Sequence, residues 1–252
     1  MRPLTQDLSV FSKFNFEKPP VGVRFMLTRP EGIEPLGDKT LPFCQMIREA
    51  QERGTPFYFT KDNEDCFGTM VLGMEDMPTF AESGLLGEKF EIFQDARANK
   101  RLYQDLPKFT KGTVNYVALS TLDKLTFEPD LLILVTNPSQ AEIVLRAMSY
   151  KTGEIRETKT TGVLGCAWLY AYPYQSGKVN YTITGLAFGM KSKEVFPEGW
   201  IIISIPWDCI PTITQNLQEM KWVLPSYTDG REKFYQRKAK VIEESMKEAT
   251  NP

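Results

Sequence analysis

Two apolar runs dominate the hydrophobic pattern of this chain, Leu131 to Val135 (LLILV) and Trp200 to Ile205 (WIIISI). Both are too short to cross a membrane, and neither alternates with polar residues, which is typical of strands buried on both faces of a sheet. The first run passes through Asn137-Pro138 into a segment whose apolar residues recur at spacings of three and four. Asn caps helices and Pro suits their first turn. The pattern therefore predicts a buried strand followed by a helix that packs on the sheet and ends at Gly153.

The remaining segments interleave helix and strand patterns. Leu41 to Arg53 predicts a helix that stops at Gly54. Further strands are predicted at 21–27, 55–60, 116–120 and 179–184. This interleaving predicts an α/β or α+β fold with a mixed β-sheet, whose buried central strands are flanked by helices. We expect residues 1–252 to form a single domain, with a charged, solvent-facing C-terminal helix at about 227–250.

Composition removes several classes of function. A formal charge of −2 argues against a nucleic-acid binder, which would normally carry a basic excess. No run is long enough to span a bilayer, and the amino terminus has no secretory signal pattern, so cytoplasmic location and no membrane partner are expected. The chain contains no histidine, which excludes serine–histidine and cysteine–histidine hydrolase mechanisms and histidine-ligated zinc.

Other common sites are also missing from the sequence. There is no GxxxxGK[ST] loop and no GxGxxG after a strand. The acidic pairs Glu64-Asp65 and Glu75-Asp76 are adjacent in sequence, so their side chains diverge and are poorly placed for a carboxylate dyad. Both pairs are predicted to lie in solvated turns.

Four dispersed cysteines are the best candidates for chemistry: Cys44, Cys66, Cys166 and Cys209. Their spacings match neither the C-x₂-C pairs of zinc ribbons nor the close-set cysteines of ferredoxins, so core packing is one interpretation. The alternative is a cluster-binding set. Cys66 and Cys166 lie beside Gly68 and Gly165, where backbone amides can donate to cluster sulfurs, and thiolates without histidine favour iron–sulfur over copper or catalytic zinc.

The order of several segments resembles the uncharacterised prokaryotic domain-of-unknown-function family numbered one hundred and sixty-nine, found mostly in archaea and anaerobic bacteria. The segments are VGVRFML, FCQMIREAQERG, EDCFGTMVLG, PDLLILVTNPSQAEIVLRAMSYKTGE, TGVLGCAW and IIISIPWDCI. The resemblance implies that Cys44, Cys66 and Cys166 match cysteines that recur in the family. A further family cysteine, followed by glycine and arginine, has no counterpart here: the chain has Thr182, Thr184 and Gly185, and Met190 near the arginine position.

The resemblance and the cysteines together favour a [4Fe–4S] protein of anaerobic metabolism. Cys44, Cys66 and Cys166 would be ligands, with Cys209 as the fourth metal ligand or that position open. Such a protein would bind a small-molecule ligand or a redox partner protein, as an enzyme or as a carrier of the cluster; an oligomer is possible.

Two other classes of function stay open. One is a metal-free module that binds a small molecule or anion in a crevice at the carboxy ends of the buried strands. That crevice would lie near Asn137 and the start of its helix, with Arg24, Tyr58, Trp168 and Tyr172 available to line it. The other is a purely structural partner subunit, which a large exposed apolar patch would indicate.

Overall fold

Seven strands form one mixed sheet in the computed structural model, which describes residues 6–250. They are β1 (Val21–Met26), β2 (Glu34–Pro35), β3 (Phe57–Phe59), β4 (Tyr116–Thr121), β5 (Leu131–Thr136), β6 (Asn180–Ile183) and β7 (Ile201–Pro206). The order across the sheet is β2-β3-β4-β1-β5-β7-β6. Only the short β2 pairs parallel, with β3; the other neighbours are antiparallel. The predicted fold class is confirmed.

Helices cover both faces of this sheet. They are α1 (Phe43–Arg53), α2 (Gly68–Val71), α3 (Thr79–Glu82), α4 (Leu85–Lys89), α5 (Ala96–Gln104), α6 (Pro138–Ser149), α7 (Tyr172–Ser176), α8 (Phe188–Ser192), α9 (Ile210–Glu219), α10 (Pro225–Thr228) and α11 (Arg231–Thr250). Short 3-10 helices occupy 9–14, 61–63, 122–124 and 207–209, and a π-helix spans Ala167–Ala171. The helix predicted for 41–53 is confirmed as α1, which ends at Gly54 in the left-handed conformation.

The central strand β5 is buried along its whole length, as its unbroken apolar run predicts. Leu131, Ile133 and Val135 face one core, which also contains residues of α1 and the π-helix. Leu132 and Leu134 face the second core, under α6 and α9. Because neighbouring side chains of a strand point to opposite faces, β5 contributes to two core layers, one on each face of the sheet.

The turn from β5 into α6 carries the capping that the sequence predicts. The Asn137 side chain accepts from the Gln140 N–H at 2.9 Å, and the Gln140 side chain accepts from the Asn137 N–H at 3.1 Å. Helix α6 ends at Ser149, before the predicted Gly153, whose N–H donates to the Ser149 carbonyl at 2.8 Å. Gly153 therefore closes the turn that follows the helix.

Replacing Asn137 by alanine is expected to lower the free energy of unfolding by about 1 kcal/mol, since the N–H of Gln140 loses its acceptor. Chemical denaturation of the two proteins measures the difference. A stability unchanged within error would show that the capping box contributes nothing to the fold.

The carboxyl-terminal helix α11 is exposed over its described length, in keeping with the prediction of a charged, solvent-facing helix. It begins at Arg231, and the short α10 precedes it. The first five and last two residues of the predicted 1–252 domain lie outside the described part. No helix within residues 6–250 is long and apolar enough to span a membrane.

Candidate functional site

A cavity of about 250 Å³ lies beside the first core layer, between that layer and helices α4 and α5. Three of the four cysteines line it: Cys44 from the first turn of α1, Cys66 from the loop before α2, and Cys166 at the start of the π-helix. Most of the rest of the lining is apolar and includes Phe67, Leu86, Phe90, Ile92, Tyr103, Val163, Leu164, Ala187, Phe188 and Met190. Three segments far apart in sequence thus bring thiols to one cavity.

A buried carboxylate, Glu64, joins the segments that carry Cys44 and Cys66. Helix α1 follows Pro42, which has no side chain able to cap it, so the first N–H groups need acceptors from elsewhere. Glu64 Oε1 accepts from the Phe43 N–H at 3.1 Å. Glu64 Oε2 accepts from the N–H of Cys66 at 3.1 Å and of Thr69 at 3.2 Å. One carboxylate therefore fixes both cysteine segments relative to each other.

The sequence-based prediction that Glu64-Asp65 is a solvated turn is wrong for Glu64, which is only 9% exposed. The prediction holds for Asp65, which is exposed. Burial raises the pKa of Glu64, and its backbone N–H donors act in the opposite direction without cancelling that rise. The signal that could have revealed Glu64 is the missing cap of α1: a helix that starts after proline needs an acceptor from another segment.

Cys166 is positioned by an unusual stretch of backbone. Leu164, two residues earlier, has a φ of 54°, a left-handed conformation that non-glycine residues rarely adopt. The Ala167 N–H donates to the Leu164 carbonyl at 2.9 Å and closes a turn that leads into the buried π-helix. Within that helix Tyr170 stacks on Phe43, with ring centroids 3.8 Å apart. This ring contact holds the Cys166 segment against the start of α1.

The two glycines predicted to bind a cofactor both line the cavity, where close packing requires them. A Cβ on Gly68 would lie 2.7 Å from Glu64 Oε1, and the N–H of Gly68 contributes to the same carboxylate. A Cβ on Gly165 would lie 2.8 Å from Cε of Met190 and 3.2 Å from Cβ of Ala187. Each glycine thus lets a cysteine segment approach its neighbour closely.

Two of the thiols, Cys44 and Cys166, are held in an environment that favours their protonated form. Burial, followed by the neighbouring Cys66, raises the pKa of Cys44 to about 12. Burial also raises the pKa of Cys166 well above its usual range, and Cys44, Glu64 and Cys66 add to that rise. All three thiols line the same cavity, so each contributes to the electrostatic surroundings of the others. A thiolate here requires a nearby cation.

In metal-free protein we expect iodoacetamide to alkylate Cys44 at least about tenfold more slowly than it alkylates glutathione at neutral pH. The raised pKa shrinks the thiolate fraction by more than the accompanying gain in nucleophilicity restores. Peptide mass spectrometry after timed quenching measures the rate, which should rise as the pH is raised. Labelling of Cys44 as fast as glutathione at neutral pH would show that the thiol is not held in this environment.

Sequence reasoning missed one cation at the site, Lys193, which follows α8. Lys193 lines the cavity together with Cys44, Cys66 and Cys166. Partial burial lowers the pKa of Lys193, but Cys66 and Cys44 more than offset this, so the pKa lies above its usual value. No sequence pattern marks this residue, because Lys193 is one of two lysines in a short charged stretch.

The fourth cysteine lies elsewhere. Cys209 packs against the second core layer, on the opposite face of the sheet, and its Sγ lies 3.6 Å from the Gly177 carbonyl oxygen. The structure therefore does not bring Cys209 to the cavity. Among residues 6–250, no three cysteine or acidic side chains lie close enough together to hold a single metal ion.

The residues considered for a crevice at the carboxy ends of the strands are also dispersed. β5 and β7 run antiparallel, so the carboxyl end of each strand lies beside the amino end of the other. Arg24 Nη1 donates to the Glu128 carbonyl, and Tyr58 is buried in a separate small cluster. Trp168 belongs to the first core layer, and Tyr172 packs against that layer.

A second cavity, of about 480 Å³, does lie near the end of β5 and is lined by Val135. Its charged lining residues are balanced in sign: Lys18, Arg48 and Lys191 against Glu17, Glu194 and Glu198. A lining with equal numbers of positive and negative groups does not favour an anion over other ligands. Binding of an anion in this crevice stays a prediction.

Comparison with known proteins bears on the family alone. The family model DUF169, described as Uncharacterised ArCR, matches residues 12–216, which include all four cysteines and the Glu64 and Lys193 of the cavity. Searches of curated proteins and of solved structures each gave no significant match. The match covers most of the chain and confirms the resemblance inferred from the sequence. The protein belongs to the DUF169 family.

Proposed function

We propose that Cys44, Cys66 and Cys166 are thiolate ligands of an oxygen-sensitive [4Fe–4S] cluster, with the fourth iron open to the cavity. The observation that carries this proposal is the convergence of three thiols, from three separate segments, on one apolar cavity. Three cysteines that served only to fill the core would not be expected to line the same cavity. Cys209, on the opposite face of the sheet, is not part of the proposed ligand set.

The donor set fits a cluster better than a single ion. A single zinc ion requires sulfurs at about 2.3 Å from one centre. In a cluster each thiolate binds a different iron, so the ligating sulfurs are further apart, and thiolates are the usual ligands. Three separate thiols that line one cavity suit the second arrangement.

The surroundings of the thiols fit as well. The raised pKa values of Cys44 and Cys166 mean that forming thiolates there needs positive charge, which iron supplies when bound. Lys193 adds a cation at Cys66, and hydrogen bonds to ligand sulfurs tune the potential of such sites. When bound, a cluster of this kind offers electron transfer or a Lewis-acidic iron.

Anaerobic purification followed by iron and sulfide analysis tests the proposal. We expect brown protein with iron and acid-labile sulfide in equal amounts, and bleaching of the colour in air. Exposing a second aliquot to air before analysis provides the control. Colourless protein that takes up neither iron nor sulfide under anaerobic reconstitution would end the proposal.

A further inference from the structure

Within residues 6–250, the cavity is lined mainly by apolar residues and by a single charged side chain. Among the described residues that line it, Lys193 is the one with a formal charge. Phe90 and Phe188, whose ring centroids lie 5.3 Å apart, form part of the apolar wall. A pocket with this lining excludes strongly polar molecules and favours an apolar body that ends in one anionic group.

From this contrast we infer that the cavity binds a small apolar carboxylate, with its acid group at Lys193 and its hydrocarbon body against Phe90 and Phe188. The cavity volume of about 250 Å³ suits a one- or two-ring molecule or a short branched chain. The site differs from the balanced second cavity, where opposite charges are equal in number. Lys193 is itself exposed, and a carboxylate bound in the cavity can form a charge-assisted hydrogen bond with its ammonium.

Cys44, Cys66 and Cys166 form one part of the cavity lining, the thiol wall, and this has a consequence for the proposed cluster. Lys193 and the three cysteines line the same cavity, so a carboxylate bound to Lys193 would lie beside the thiol wall. Only this consequence, that the bound acid lies next to the open iron, rests on the proposed function. Binding of the acid itself requires the cavity and Lys193, and can be measured without iron.

The probe pair 2-naphthoate and 2-naphthamide tests the inference, since the two molecules have nearly the same shape and differ in charge. In calorimetric titrations of metal-free full-length protein, we expect saturable one-site binding of the naphthoate, about tenfold tighter than that of the amide. Lys193→Met should remove this preference. Lys191→Met is the matched control, because Lys191 lies two residues before Lys193, pairs with Glu198 and does not line this cavity.

A second variant, Phe90→Ala, tests the contribution of the apolar lining independently of the charge of Lys193. Phe90 is 58% exposed, so Phe90→Ala should fold normally. It should weaken both probes by a similar factor and leave their ratio intact.

Absence of saturable naphthoate binding, equal affinities for the two probes, or an equal loss in Lys191→Met would each overturn the inference. Because these titrations use iron-free protein, their failure leaves the cluster proposal standing. Binding of naphthoate by a chain that never takes up iron would contradict the cluster proposal alone.

Discussion

Replacing Glu64 by glutamine is expected to lower the free energy of unfolding by about 3 kcal/mol or more. The carboxylate accepts from the N–H groups of Phe43, Cys66 and Thr69; the bonds to Phe43 and Thr69 are buried and the bond to Cys66 is partly buried. Glutamine offers one acceptor and turns an NH₂ group towards the remaining donors, which are then buried without partners at about 1–3 kcal/mol each. Denaturant unfolding at neutral pH measures the loss.

Asp65→Asn is the matched control for this prediction. Asp65 is the next residue and carries the same charge, but it is exposed, so the change should alter stability by less than about 0.5 kcal/mol. Equal stabilities for Glu64→Gln and Asp65→Asn would mean that Glu64 does not join the two cysteine segments.

The raised pKa of Glu64 also predicts a pH dependence. Burial is its main cause, so the folded protein holds the acid proton more tightly than the unfolded chain does. The resulting stability is fully present below the ordinary pKa of 4.5 and is lost as the pH rises through the higher pKa of the folded state. The cost of Glu64→Gln should therefore shrink as the pH is raised across that window, and an unchanged cost would contradict the sign of the shift.

The second large effect is expected from the cysteines. Single serine replacements of Cys44, Cys66 and Cys166 should each lower cluster affinity by more than the roughly tenfold loss that follows from removing an outer-shell partner. Iron and sulfide per chain after anaerobic reconstitution, together with the visible absorption spectrum, provide the measurement. Alanine replacements serve as a second set, because serine can bind iron weakly through its oxygen.

Cys209→Ser is the matched control for those variants. Cys209 is a half-buried thiol like Cys66, but it lies on the other face of the sheet, so its replacement should leave iron content unchanged. If Cys209→Ser lost as much iron as the other variants, the cluster would lie elsewhere or the loss would reflect unfolding. Thermal melts of the iron-free variants distinguish these two cases.

The local elements were predictable because their signals are contained in short stretches. The five apolar residues of β5, the Asn137-Pro138 start of α6 and the glycine after α1 each determine structure through their immediate neighbours. The end of α6 was less well predicted. The chain keeps turning for three residues after Ser149 before Gly153 reverses it, so the glycine marks the end of the turn and not of the helix.

Features that depend on contacts between distant segments could not be predicted in the same way. The sequence places Glu64 in a polar turn, and only the uncapped α1 brings its carboxylate inside. The buried strands β5 and β7 look alike in sequence, yet their antiparallel pairing separates the ends that a shared crevice would need. The sequence identifies the four cysteines as candidates. Which face of the sheet each one lies on depends on the topology, which the sequence pattern does not contain.

The measurement that tests the central claim most directly is the ⁵⁷Fe Mössbauer spectrum of anaerobically reconstituted protein. A [4Fe–4S] cluster held by three thiolates should show one iron distinct from the other three, and that iron should respond to an added small ligand. The signal should disappear in Cys66→Ser and persist in Cys209→Ser. A spectrum without cluster iron, or with four equivalent thiolate-bound irons, would contradict the assignment of a three-thiolate site.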